Sequence, residues 1–221
     1  MPGAAAVQCR TTVSLGHLNR LRALRPFSVR ARRERAMPRF PLIHETDAPD
    51  EVTEIYRDFQ REMRFPGVPN FVRMLGASHS MLAGTWGLLK HVLLQGRLPR
   101  STKELIFVAI AVKRECEYCK EAHAACCRIL GVDDNTIRAV MEGLTDDVLE
   151  IPDHTRDILL FAIKCGDAPE RLNHEDFASL TRHGLDNEQT LEVIATAAMA
   201  VYATIIAEAT MVDVDAMYEQ M

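Results

Sequence analysis

Segments in which apolar residues recur at helical spacing follow one another along this chain. None shows the alternation of apolar and polar residues that is typical of a strand. Aromatic residues make up 6% of the chain while Ala, Leu and Met are abundant, which favours helices over sheets. Proline, glycine and capping residues separate the segments. The predicted helices cover residues 50–65, 70–75, 78–94, 101–114, 115–130, 134–143, 153–165 and 173–183, with a long last helix from 187. We therefore predict an all-α fold.

The clearest start of a helix is Ser101-Thr102-Lys103-Glu104, which has the pattern of a capping box. The run that follows, 105–112, is apolar on all sides, and this predicts a deeply buried helix. It is far shorter than the ~20 apolar residues that span a bilayer. A longer segment, 193–207, is interrupted by Thr196 and Thr204. We interpret it as a buried Ala-rich helix, and we predict no membrane-spanning segment.

The charge of the chain is distributed unevenly. The formal net charge of −5 gives no reason to expect nucleic acid or an anionic membrane as a partner. Residues 1–36 contain eight Arg, no Lys and one acidic residue, Glu34. Of the 26 basic and 31 acidic residues, 18 and 30 therefore remain in 37–221, a net charge of −12. The main part of the chain is thus distinctly acidic.

Three interpretations are open for the basic segment 1–36. An Arg-rich, acid-poor composition is typical of an organelle transit peptide, and it also suits a disordered basic arm. The third interpretation, which we favour, is an upstream extension with the natural start at Met37. No apolar run of the signal-peptide type is present. We therefore predict a disordered extension over 1–36, one helical domain over 37–221, and a cytoplasmic location.

The cysteines are too few for a disulfide scaffold in a chain of 221 residues, because they number only six. Cys116, Cys119, Cys126 and Cys127 fall within twelve residues, which indicates chemistry or metal binding. Cys116 and Cys119 form a Cys-x-x-Cys motif, and His123 follows four residues later. Offsets of three and seven place these three side chains on one face of a helix. Cys116 is close to the helix start, where unpaired N–H groups favour a thiolate. At this position we also expect it to be the more exposed of the two thiols. His123 could take a proton from Cys119.

Glu104 is the candidate carboxylate for proton relay at this motif. It lies twelve residues before Cys116, in the first turn of the apolar helix. If the two helices pack side by side, its carboxylate lies in an apolar wall beside the thiol pair and can relay protons. The alternative is structural, with Glu104 as the second member of the capping box.

Each of the other residues also has a structural alternative. A single histidine on a helix is more often structural than catalytic. Cys116, Cys119 and His123 could instead hold zinc, although structural zinc sites usually take their second ligand pair from a separate element. Cys126 and Cys127 are interpreted as small apolar residues of the core.

The motif as a whole resembles that of a known family. Glu104, eleven residues, Cys116-x-x-Cys119, three residues and His123 are similar to the core pattern of the AhpD-like (alkyl hydroperoxidase D-like) branch of the carboxymuconolactone decarboxylase superfamily. The segment 69–71, the Gly96-Arg97-Leu98-Pro99 turn and the late Ala-rich helix fit as well. The likeness covers roughly residues 37–215.

The resemblance implies an AhpD-like helical bundle that forms homo-oligomers and needs no cofactor. It also implies an enzyme that reduces hydroperoxides with an external dithiol. In this scheme Cys119 attacks the peroxide, Cys116 is the resolving partner, and Glu104 and His123 relay protons. One departure is Tyr118, where the best-studied members of the family have a histidine. Two alternatives stay open: a decarboxylase or lactone-processing enzyme, and a non-enzymatic thiol or zinc sensor.

Overall fold

The computed structural model describes residues 38–144 and 151–220. The basic segment 1–36 lies outside these ranges, and its separation from the rest of the chain stays a prediction. No strand occurs in either range, so the predicted all-α class is confirmed. The helices are α1 (Asp50–Met63), α2 (Asn70–Leu75), α3 (His79–Leu94), α4 (Arg100–Lys113), α5 (Glu117–Ile129), α6 (Asp134–Met141), α7 (Asp153–Asp167), α8 (His174–Arg182) and α9 (Asn187–Thr210). Two short 3₁₀ helices, Pro169–Arg171 and Ala216–Gln220, were not predicted.

Among the described helices, α6, α8 and α9 begin at a residue whose side chain caps the helix. Asp186 caps α9 with a capping box that Gln189 completes, and Asn173 does the same for α8. The start of α4, like that of α1, α2, α3, α5 and α7, has no such cap. Its N-cap is Pro99, and no side chain caps it. The predicted capping box at Ser101 and Glu104 is therefore wrong, because the Glu104 carboxylate is directed into the protein interior.

The central element of the fold is α4. Every residue from Lys103 to Ala111 is buried, as the apolar run predicts. The helix packs against α3, α5, α6, α7 and α9, so five neighbouring helices surround it. A helix that is apolar all round is stable only when it is surrounded in this way.

The long helix α9 packs against α3, α4, α5 and α7. Among the described residues it is the one helix long and apolar enough to cross a membrane by length and composition. Its residues Val193, Ala197, Ala200 and Thr204 are buried in the core, as the interpretation of an Ala-rich core helix requires. Leu191, Ala198 and Ile205 lie on the opposite, exposed side.

Candidate active site

A tight turn between α4 and α5 places the first cysteine. Glu115 adopts a left-handed conformation with φ of 57°, which is usually taken by glycine at this position of a helix end. The N–H of Cys116 donates to the carbonyl of Ala111 at 2.9 Å, and the N–H of Glu115 donates to Val112 at 3.0 Å. These two bonds form a Schellman motif. Cys116 is therefore both the last residue of the turn and the N-cap of α5.

The two thiols of the Cys-x-x-Cys motif are both buried. Cys116 is 1% exposed and Cys119 is 3% exposed, so the prediction that Cys116 is the more exposed thiol is wrong. The helix start at Cys116 is covered by the packing of α5 against α4, α9 and the segment Ala216–Gln220. Hydrogen bonding to the Cys116 thiol, together with burial, holds the pKa of Cys119 well above its ordinary value. The resting Cys119 thiol therefore keeps its proton.

The second pair in the site is Glu104 and His123. Oε2 of Glu104 lies 2.6 Å from Nδ1 of His123, and the carboxylate is fully buried. The short turn makes α4 and α5 antiparallel neighbours, which brings the first turns of α4 beside the middle of α5. The His123 ring also stacks on Phe107, with ring centroids 4.0 Å apart. The imidazole is thus fixed on one face by an aromatic ring and at one nitrogen by a carboxylate.

A third member of this group, Arg100, carried no signal in the sequence. Its Nε donates to Oε1 of Glu104 at 3.1 Å, and Nη2 lies 3.4 Å from Sδ of Met63. Arg100 and Glu104 are one turn apart on α4, which is the spacing at which side chains on a helix meet. The two carboxylate oxygens of Glu104 therefore have different partners.

The thiol pair and the Glu104–His123 pair are neighbours on α5 without a direct hydrogen bond in the described residues. The carboxylate whose charge acts on Cys119 is Glu208 of α9, in addition to the effects of Cys116 and burial. The charge of Glu104 instead adds to the burial that raises the pKa of Cys126 and Cys127. The expectation that Glu104 lies beside the thiol pair stays a prediction; the contacts of its carboxylate are with His123 and Arg100.

Tyr118, between the two cysteines, belongs to a buried polar network. Its hydroxyl donates to Oδ2 of Asp215 at 3.0 Å and accepts from the N–H of Phe71 at 3.1 Å. The hydroxyl of Tyr218 lies 3.1 Å away. Asp215 accepts from the N–H of Asn70 with both oxygens, each at 3.0 Å. The network ties the segment around Asp215 to α5 and to the start of α2.

Burial dominates the ionisation of this network. It raises the pKa of Tyr118 and Tyr218 well above the ordinary range, so both hydroxyls stay protonated. Burial also raises the pKa of the Asp215 carboxyl, in spite of its hydrogen bonds. Charge on Cys119 or Cys126 would raise the pKa of Tyr218 further, which places this tyrosine close to both thiols. The last 3₁₀ helix is therefore part of the cover of the cysteines.

Zinc was an alternative use of the Cys116, Cys119 and His123 side chains. In residues 38–144 and 151–220, no three His, Cys, Asp or Glu side chains come together in an arrangement that could hold a metal ion. His123 is directed to Glu104 through Nδ1, and Cys119 is paired with Cys116. The three possible zinc ligands are thus divided between the Cys116–Cys119 pair and the His123–Glu104 pair.

Comparison with known proteins finds a family similar to the segment that carries the site. Residues 80–148 match the carboxymuconolactone decarboxylase family, and this segment contains Glu104, Cys116, Cys119 and His123. The matching family is the one that the motif in the sequence resembles. A curated relative, alkyl hydroperoxide reductase Rv2159c from Mycobacterium tuberculosis, is 33% identical over 92 residues. The match covers 42% of this chain and about a quarter, 26%, of that relative.

Solved structures share the fold. The alkylhydroperoxidase AhpD core from Ralstonia eutropha, described as an uncharacterized peroxidase-related protein, has a TM-score of 0.77 at 23% identity. The comparison covers 85% of this chain and 97% of that one. The debrominase Bmp8, in complex with 2,3,4-tribromopyrrole, has a TM-score of 0.68 at 22% identity and covers 81% and 92% of the two chains. The predicted AhpD-like fold is confirmed, and proteins with different activities share it.

Proposed function

We propose that this protein is a peroxidase-type thiol oxidoreductase that reduces hydroperoxides through Cys119 and Cys116. The observation that carries the proposal is the pair of neighbouring thiols at the start of α5, one turn before a histidine held by a buried carboxylate. At family level, the relatives named alkyl hydroperoxide reductase and peroxidase-related protein support the same role.

The reaction has three steps. The Cys119 thiolate attacks the terminal oxygen of ROOH, the O–O bond breaks, and the alkoxide takes a proton to leave as ROH with Cys119 as sulfenic acid. The Cys116 thiol then attacks the sulfenic sulfur, and a disulfide forms with loss of water. An external dithiol reduces the disulfide by exchange and is itself oxidised to a disulfide.

The first step needs a base, because the resting Cys119 thiol is protonated. His123 lies one turn after Cys119 on the same face of α5, and Glu104 orients its ring. In the absence of substrate, catalytic hydrogen bonds are often long and shorten only in the reacting complex. His123 would take the thiol proton and deliver it to the departing alkoxide.

The two cysteines have different tasks in this scheme. Cys119 has the closer base, which suits the thiol that attacks the peroxide. Cys116 at the helix N-terminus suits the thiol that resolves the sulfenic acid and exchanges with the reductant. The assignment agrees with the role that the family resemblance implies for each position.

Single cysteine variants test this proposal. One equivalent of a hydroperoxide should leave a trappable sulfenic acid on Cys119 in Cys116→Ser, and should be hardly consumed by Cys119→Ser. Cys165→Ser is the matched control, because Cys165 lies on α7, outside the Cys-x-x-Cys motif. This substitution should leave both results unchanged. A sulfenic acid on Cys116 would reverse the assignment, and no thiol oxidation in the wild type would remove the peroxidase role.

The rival activities predict other outcomes of the same experiment. A decarboxylase or lactone-processing enzyme would turn over its substrate in the Cys116→Ser, Cys119→Ser double variant. A thiol sensor would be oxidised once without sustained peroxide consumption in the presence of a dithiol. Sustained consumption that needs both thiols and the dithiol distinguishes the peroxidase.

Further elements of the proposal concern partners and location. We infer a cytoplasmic homo-oligomer, since a reducing compartment supplies dithiols and symmetric assemblies dominate among oligomers. Exposed apolar residues on α9 support the assembly. Leu191 and Ile205 are both exposed, with Ala198 midway between them on the same face.

A further inference from the structure

Glu104 divides its two carboxylate oxygens between a cation and an imidazole. Oε1 accepts from Nε of Arg100 at 3.1 Å, and Oε2 lies 2.6 Å from Nδ1 of His123. The Glu104 side chain is fully buried, while Arg100 is 25% exposed at the edge of the site. The carboxylate is thus separated from water and depends on these two neighbours.

The surroundings make Arg100 the permanent counter-ion of this carboxylate. A buried carboxylate is stable as an anion only when it is paired. His123 is charged only when it is protonated, whereas an arginine is always charged. The other titratable groups that face Glu104, Cys126 and Cys127 on α5, are neutral thiols, because burial and the Glu104 charge raise their pKa.

The orientation of the His123 ring is fixed by its neighbours, so what can still vary is which ring nitrogen carries hydrogen. Phe107 stacks on the ring and Oε2 of Glu104 holds Nδ1, so the ring cannot turn without breaking both contacts. An anionic Glu104 can only accept, and Nδ1 must then carry the hydrogen. The other nitrogen, Nε2, keeps its lone pair and can act as a base.

We propose that Arg100 is a positioning residue that keeps Glu104 anionic and thereby fixes His123 in the tautomer whose Nε2 can accept a proton. The role of Nε2 as the base for Cys119 rests on the proposed function. The tautomer of His123 itself can be measured without any substrate. Arg100 acts here through Glu104 and is not required to touch the hydroperoxide.

Removal of the guanidinium has two possible consequences, and both eliminate the base. Glu104 can take up a proton and, as a neutral carboxyl, donate a hydrogen bond to Nδ1, so that the single ring hydrogen lies on Nε2. Alternatively, His123 can become an imidazolium and replace Arg100 as the counter-ion. In either case Nε2 carries a hydrogen and can no longer accept one from a thiol.

The test measures His123 directly in the full-length protein. Nitrogen NMR spectra of labelled histidine report which ring nitrogen carries hydrogen, and His123→Gln identifies the signal among the eight histidines. The wild type should show hydrogen on Nδ1 alone. Arg100→Met and Arg100→Gln, which both lack the charge, should show hydrogen on Nε2, and Arg100→Lys should restore the wild-type pattern.

The matched control replaces Arg97, a nearby arginine that does not pair with Glu104. Arg97 lies three residues before Arg100 and pairs with Asp186 and Glu188 at the surface. Arg97→Met should leave the His123 signal unchanged. Two neutral Arg100 variants are used so that a folding defect in one, detected by circular dichroism, does not remove the test.

The rate of Cys119 oxidation provides the second measurement. In the Cys116→Ser background, loss of the base should lower this rate by roughly a hundredfold or more in Arg100→Met, with recovery in Arg100→Lys. If Nδ1 carries the hydrogen and Nε2 carries none in both neutral variants, as in the wild type, the role of Arg100 is overturned whatever the activity. If the tautomer changes as expected but the wild type reduces no hydroperoxide, the peroxidase function fails and the role of Arg100 stands.

Discussion

The hydroxyl of Tyr118 donates a hydrogen bond to Oδ2 of Asp215, 97 residues further along the chain, at a distance of 3.0 Å. The bond joins the Cys-x-x-Cys motif to the last segment of the fold. Tyr218 of the same segment lies close to Cys119 and Cys126, so this segment covers the thiols. Access to the cysteines therefore depends on contacts that are far from the motif in sequence.

Loss of the Tyr118 hydroxyl should destabilise the protein. In Tyr118→Phe the N–H of Phe71 loses its acceptor and Asp215 loses one donor, and a buried polar group left unpaired costs about 1–3 kcal/mol. Urea unfolding measures the difference. Tyr202→Phe is the matched control, because among the described residues that half-buried hydroxyl bonds the Thr85 hydroxyl alone, at 2.8 Å, and its loss should have a smaller effect. Equal losses in the two variants would contradict the role of the network.

Asp215 should make the stability of the protein decrease with rising pH. Burial raises the pKa of its carboxyl above the ordinary 3.8, so the folded state binds its proton more tightly than the unfolded state does. This contribution to stability is complete below 3.8 and is lost as the pH rises through the raised folded value. The unfolding free energy of the wild type minus that of Asp215→Asn should therefore fall from about pH 3 towards neutrality.

Asp157 provides a control of opposite sign for that measurement. A hydrogen bond from Ser179, and then one from His183, lowers the pKa of this carboxyl below its ordinary value. Its contribution is present above 3.8 and is lost as the pH falls through the lowered folded value. The difference between the wild type and Asp157→Asn should consequently rise with pH. A parallel trend for both residues would show that general acid denaturation governs the result.

The exposed face of α9 should mediate self-association. Ile205, which is 53% exposed, lies in a row with Leu191 and Ala198 at intervals of seven residues. Ile205→Glu places a charge in that row and should reduce the molar mass seen by light scattering. Leu160→Glu on α7 is the control, because Leu160 is similarly exposed at 49%. This substitution should leave the molar mass unchanged. A wild-type mass of 24.8 kDa at micromolar concentration would refute the predicted homo-oligomer.

Removal of residues 1–36 should leave the melting temperature nearly unchanged. The segment is rich in arginine and lacks the apolar periodicity of a helix that packs on a core. Differential scanning calorimetry of the chain from Met37 onward measures the effect. A large decrease would mean that the segment contributes to folding, and the predicted disordered extension over 1–36 would then be wrong.

The order of the helices could be predicted because their ends are specified locally. Asp186 caps α9 through its own side chain, and Pro66 and Gly131 end helices because of their backbone chemistry. The error at Ser101 has the opposite cause. The local pattern of a capping box was present, but Glu104 is paired within the interior, and these contacts replaced the cap.

The sequence by itself determined which residues of α5 share a face, because a spacing of three and four residues has only one geometric result on a helix. It therefore determined that Cys119 and His123, which both lie within α5, share one side of that helix. Only the tertiary structure decided their partners. The Glu104–His123 contact requires the packing of α4 against α5, and the Tyr118–Asp215 bond requires the return of the chain after α9. Such contacts join residues that are distant in sequence, and they depend on how helices pack rather than on any local preference of the backbone.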